Sequence, residues 1–77
     1  WRAFAAWCAA RDVPALPADP AAVAAFLAAE ADAGRQVRTL ARRCAAIRYA
    51  HRLQQLPAPT DAEAVRATLR GIRRTVG

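Results

Sequence analysis

Prolines divide this chain before anything else does. Pro14, Pro17 and Pro20 crowd one short stretch and Pro57 and Pro59 another, so helices must break at both. Around these breaks the apolar residues recur at helical spacing. Gly34 interrupts the long middle stretch at a point where helices often end in a left-handed residue. Four helical segments follow. Ala dominates the hydrophobic class while aromatic residues make up 6% of the chain, a composition that favours closely packed helices over strands. The expectation is a single all-α domain of 77 residues, large enough for one modest core and too small for a core plus a separate catalytic lobe.

The first segment places Trp1, Phe4, Ala5 and Cys8 on one side and Arg2 and Arg11 on the other, a periodicity already running at residue 1, so the true start of this element is expected upstream. In the loop from Asp12 to Ala18, Val13 and Leu16 are expected to tuck into the core. Asp19 then reads as an N-cap with Pro20 at the first helical position, opening a second helix to Ala33 with Val23, Phe26 and Leu27 inward. Glu30 falls one turn after Leu27. A carboxylate there belongs at the edge of the core, paired with an Arg.

Thr39 or a neighbour is expected to cap a third helix running to about Gln55. Leu40, Cys44, Ile47 and His51 share one face of it, Ala46, Tyr49 and Leu53 form a second apolar side, and Arg38, Arg42, Arg48 and Arg52 fill the remaining arc. This pattern predicts a central helix buried on two sides. Thr60-Asp61-Ala62-Glu63 reads as a capping box opening a fourth helix, with Val65, Leu69, Ile72 and Val76 inward, Arg66, Arg70, Arg73 and Arg74 on a flank, and Gly77 at its end. Asp61 and Glu63 sit where the helix dipole favours them. Gly71 is expected at a close-packing point. The predicted architecture is a small orthogonal bundle of four short helices around the two Trp and two Phe side chains.

Little in the chain suggests catalysis. No nucleophile has a base at usable spacing, no Gly-rich phosphate loop is present, and no cofactor or metal site is expected. His51 reads as a hydrogen-bonded core or boundary residue and Tyr49 as a packing residue with a wet hydroxyl. Cys8 and Cys44 read as small buried hydrophobes in a reducing compartment rather than as a disulfide. With no spanning stretch and no signal-peptide pattern, the expected location is cytoplasmic, with no membrane partner.

Charge says more. The formal net charge is +6, from twelve basic residues against six acidic ones, and every basic residue is Arg. Guanidinium forks suit phosphate oxygens and guanine edges better than ammonium groups do, and a basic surface on so small a body attracts polyanions. A high-GC coding bias explains Arg in place of Lys but not the net excess.

The order of residues adds a resemblance. The run Trp1-Arg-Ala-Phe-Ala-Ala-Trp-Cys8, then Leu16-Pro-Ala-Asp-Pro20, Val23-Ala-Ala-Phe-Leu27, Gly34 to Thr39, Ala46-Ile-Arg-Tyr-Ala-His51, and finally Val65-Arg66 with Leu69-Arg-Gly-Ile-Arg-Arg74 resembles the core-binding domain of tyrosine recombinases, the phage-integrase family. The resemblance spans nearly the whole chain. It implies a SAM-like bundle of four or five short helices that closes, with a following catalytic domain, as a clamp on recombination-site double-stranded DNA, within a recombinase oligomer. The family's Tyr nucleophile and its Arg and His partners belong to that other domain, expected after Gly77, so Tyr49 is not the nucleophile and this chain is not itself an enzyme. Family DNA contacts carry over to Arg38, Thr39, Arg42 and Arg43 at the start of the third helix and to Arg70, Arg73 and Arg74 on the last. Arg43 could reach a base edge or neutralise Glu30. Three positions depart from the family's habit: Arg38 stands where a small hydroxyl residue is common, Cys44 where Leu is common, and Gln55 where Gly often precedes Leu56. The alternative is a SAM-like helical module that binds another protein.

Overall fold

The computed structural model describes residues 1–76, with only the backbone of Val76. It is an all-α domain of four helices: α1 (Arg2–Ala10), α2 (Pro20–Asp32), α3 (Val37–Leu53) and α4 (Glu63–Val76), with a short 3-10 turn at Pro59–Asp61 between the last two. Its radius of gyration, 11.5 Å, is that of a compact chain of this length. Helices α2 and α3 touch each other and both outer helices, whereas α1 and α4 do not meet among the described residues. The core is therefore built on α2 and α3, from Phe4, Cys8, Ala18, Val23, Phe26, Leu27, Leu40, Ile47 and Val65.

Local sequence fixes the helix ends. Asp19 Oδ1 accepts from the Ala21 N–H at 2.9 Å and Pro20 fills the first helical position, so α2 begins as expected. At its other end Gly34 has φ +90°, its N–H bonds the Ala31 carbonyl, and the Arg35 N–H bonds the Glu30 carbonyl, a Schellman closure. The α1 and α3 ends close the same way, with Asp12 (φ +56°) and Gln55 (φ +58°) in the left-handed position.

Several expectations are corrected. Thr39 is not the cap of α3: it lies inside the helix, which starts from Gln36 with no side-chain cap. The capping box at Thr60 does not form, because Pro59 opens a 3-10 turn, Ala62 is extended, and α4 begins only at Glu63. Thr60 is instead buried, its Oγ1 accepting from Arg48 Nε at 3.3 Å. Helix α3 is buried on one side, not two, since Tyr49 is 65% and Leu53 63% exposed. Val13, Leu16 and Trp1 also lie at the surface, and the loop's buried residue is Ala18. Trp7 is half-buried, stacked with Phe4 and edge-on to Phe26, while Arg11 caps its outer face at 4.1 Å. Its Nε1 is buried with no partner among the described residues. Gly71 is exposed with open space where a Cβ would stand, so it is not a packing point. Val76, the last residue of the α4 stripe, lies outside the described side chains, and Gly77 lies outside the described residues.

Candidate nucleic-acid interface

The core face of α3 sets where everything else on that helix points. Leu40, Ile47 and His51 are fully buried and Cys44 half-buried, so this expected stripe is the inner one. His51 anchors it. Its Nε2 accepts from the Ala18 N–H at 2.9 Å, which puts the ring proton on Nδ1, where it donates to the Ile47 carbonyl at 2.8 Å. The imidazole thus ties the Asp12–Asp19 loop to α3 with both nitrogens used, as a core histidine does.

Turning α3 by half a revolution brings out Arg38, Arg42, Tyr49 and Arg52, all exposed. Neither Arg38, Arg42 nor Arg52 meets a carboxylate among the described residues. The start of α3 adds to them. With no side-chain cap at Gln36 and no acidic residue in the first turn, the N–H groups of Val37, Arg38 and Thr39 face outward at the positive end of the helix dipole.

Among the candidate contacts, the structure separates free guanidinium groups from engaged ones. Arg43 meets Glu30, its Nε donating to Oε1 at 2.9 Å, which is one of the two roles expected of it. Arg70 donates to both oxygens of Glu63 along α4, at 3.1 and 3.2 Å, an exposed pair of little energetic weight. Arg73 and Arg74 are exposed and meet no carboxylate among the described residues. Arg48, expected in the free arc, is instead held by Thr60 and by Asp61, whose Oδ1 accepts from Nη2 at 3.2 Å. A turn that the prolines create thus removes one charge from the surface array.

Helix α4 packs against both α2 and α3. The Cys44 thiol is pushed above its ordinary value by burial, and that rise is opposed by the charges of Arg48 and then Arg73. Arg73 is thus the α4 arginine whose charge acts on Cys44 of α3. Cys8 is also raised by burial, with Arg11 opposing. Both thiols are free.

The charge is divided along the chain. Residues 1–34 carry two Arg and four carboxylates, a formal −2, whereas residues 35–77 carry ten Arg and two carboxylates, a formal +8. The surplus thus belongs to the part that holds α3 and α4. Among the described residues no three His, Cys, Asp or Glu side chains gather as metal ligands would. Among the described residues no helix is long and apolar enough to cross a membrane. No protein-family model matches this chain, and neither does any curated protein.

On the side of α3 nearer α1, Trp1, Leu16, Tyr49, Ala50, Leu53 and Gln54 line a shallow groove of about 360 Å3. Four of the five large hydrophobic residues exposed among the described residues meet there. The second apolar side read from the sequence is thus real as a pattern but faces solvent.

Proposed function

We propose that this chain is the core-binding domain of a site-specific tyrosine recombinase, a SAM-like module that grips recombination-site duplex DNA for integration or recombination. In this reading a catalytic domain of the same polypeptide supplies the chemistry, the working unit is a recombinase oligomer on DNA, no cofactor is used, and the setting is the reducing cytoplasm, in keeping with two free thiols. The observation that carries the reading is the segregation of charge: a formal +8 over residues 35–77, with Arg38, Arg42, Arg52, Arg66, Arg73 and Arg74 free of carboxylates among the described residues. Phosphate contacts would supply affinity, with Arg38, Thr39 and Arg42 at the uncapped start of α3 and Arg70, Arg73 and Arg74 on α4.

The test is a salt titration of binding to a mixed-sequence duplex by fluorescence anisotropy. Wild-type affinity should fall steeply between about 50 and 200 mM salt. Arg38→Glu with Arg42→Glu should weaken it at least about tenfold and flatten the salt slope by roughly 0.9 for each phosphate that is no longer neutralised. Because both side chains are exposed and unpaired among the described residues, the melting temperature should stay put. Full affinity in the double variant would remove α3 from the interface.

A second reading has an observation of its own, the apolar groove between Trp1 and Leu53. If the domain docks a protein there, binding of that partner would be nearly indifferent to salt and insensitive to Arg38 and Arg42.

A further inference from the structure

We infer that Arg35 and Arg43 form a two-arginine phosphate clamp at the α2–α3 junction, with Glu30 as its positioning residue; the clamp rests on the DNA-binding reading above and names a subsite of it. Glu30 spends one carboxylate oxygen on each arginine: Oε1 accepts from Arg43 Nε at 2.9 Å, and Oε2 lies 3.4 Å from Arg35 Nε. Both contacts use Nε. The terminal nitrogens of Arg35 and Arg43, the part of a guanidinium that forks onto a phosphate, carry no hydrogen bond among the described residues. One carboxylate therefore holds the Arg43 guanidinium by a hydrogen bond at its inner edge and draws in that of Arg35 as an ion pair, and leaves the outer edge of each without a hydrogen bond among the described residues.

The backbone explains how the pieces arrive. Gly34 at φ +90° reverses the chain after α2, and the Arg35 N–H closes on the Glu30 carbonyl at 3.1 Å, which folds Arg35 back over the residue its side chain meets. Arg43 comes from the second turn of α3, on the flank facing α2. The Glu30 side chain is 14% exposed, Arg43 30% and Arg35 52%, so the carboxylate is the sheltered member and the arginines face outward. The group as a whole keeps one net positive charge. It lies beside the uncapped first turn of α3, where Arg38 and Thr39 stand. An internal ion pair and a DNA contact are usually alternatives for an arginine. Here the geometry permits both at once, because Glu30 takes only the Nε edge.

The decisive variant is Glu30→Gln. Removing a negative charge from a DNA-binding surface should tighten binding if the carboxylate merely neutralises arginines. If Glu30 aims the clamp, Glu30→Gln weakens duplex binding despite the gained charge, by about tenfold, the scale of one charge-assisted hydrogen bond set. Arg43→Lys, which keeps the charge but has no Nε edge, should match that loss, and Arg35→Ala should flatten the salt slope by about one phosphate's worth. These two variants decide the matter if Glu30→Gln lowers the melting temperature. Wild-type binding together with a Glu30→Gln affinity equal to or above it, or an Arg43→Lys protein as tight as wild type, overturns the clamp and leaves the DNA reading intact. A wild-type domain that holds no duplex at low salt overturns both.

Discussion

The two faces of α3 carry different loads. Leu40, Ile47 and His51 on one face are fully buried, and through them α3 meets α2 and the Asp12–Asp19 loop. Arg38, Arg42, Tyr49 and Arg52 on the opposite face are exposed, and no ion pair or side-chain hydrogen bond ties any of them to the rest of the domain among the described residues. Nothing inside the described domain requires Arg at 38 or 42, or Tyr at 49. The inner face holds the fold and the outer one is available for a partner, so variants on the two faces should separate stability from binding.

The largest effect is expected on the inner face. Ile47→Ala removes a fully buried branched side chain from the core, and a cavity of that kind costs about 2–5 kcal/mol. For a domain this small that is a large part of the total stability. A urea melt of Ile47→Ala should show a midpoint far below wild type, while the Arg38→Glu, Arg42→Glu protein melts with the wild type. If the two variants lose stability equally, the faces are not separable and α3 is held from outside as well.

Cys44 lies at the border between the faces and reports on α4. Burial raises its thiol and the Arg73 charge opposes the rise, so Arg73→Ala should raise it further, lower the thiolate fraction at a given pH and slow alkylation. A few-fold slower modification of Cys44 by iodoacetamide near pH 8, read by peptide mapping, would place Arg73 beside α3 in solution. An unchanged rate would detach the α4 flank from the α3 array. The sign for stability follows from the same burial. With the folded thiols raised above their ordinary value of 9.0, the contribution of keeping them neutral is complete below that value and is lost as the pH climbs past it.

What was legible in the sequence was what depends on neighbours along the chain. The Asp19-Pro20 start, the left-handed Gly34 and the Leu40–Ile47–His51 stripe all follow from spacing and capping chemistry, and all are present, as is an arginine partner for Glu30, whose identity the sequence left open. The misses share a cause. Thr60 matched a capping box, but Pro57 and Pro59 hold the preceding backbone extended and wind Pro59–Asp61 into a 3-10 turn that packs on α2, α3 and α4, so the hydroxyl went to Arg48. Tyr49 and Leu53 matched a buried stripe, but the Pro59–Asp61 turn docks on the Arg48 side of α3, and no described element buries the opposite side. Apolar periodicity reports which residues a helix can bury; which of them it does bury depends on where distant segments dock. For the candidate site, the arginines were legible one by one, whereas their sorting into free and engaged groups needed the positions of Glu30, Asp61 and Glu63 in space.

The smallest expected effect on stability is the one that best tests what the outer face is for. Tyr49→Ala removes a side chain that is 65% exposed and makes no hydrogen bond among the described residues, so its melt should shift by no more than about 0.5 kcal/mol. Its consequence for binding depends on which surface is used. Tyr49 stands between the guanidinium row of Arg42 and Arg52 and the groove that Trp1, Leu16 and Leu53 line. If the groove docks a protein, the tyrosine is the most exposed of its large hydrophobic walls and its loss removes that partner while duplex binding and its salt slope stay as they were. If duplex DNA covers the whole outer face, duplex affinity falls and Tyr49→Phe restores whatever part of it came from the ring rather than the hydroxyl. A Tyr49→Ala protein that melts several kcal/mol below wild type would instead show the second apolar side of α3 to be covered in solution, and the division of the helix into a holding face and a free one would fail.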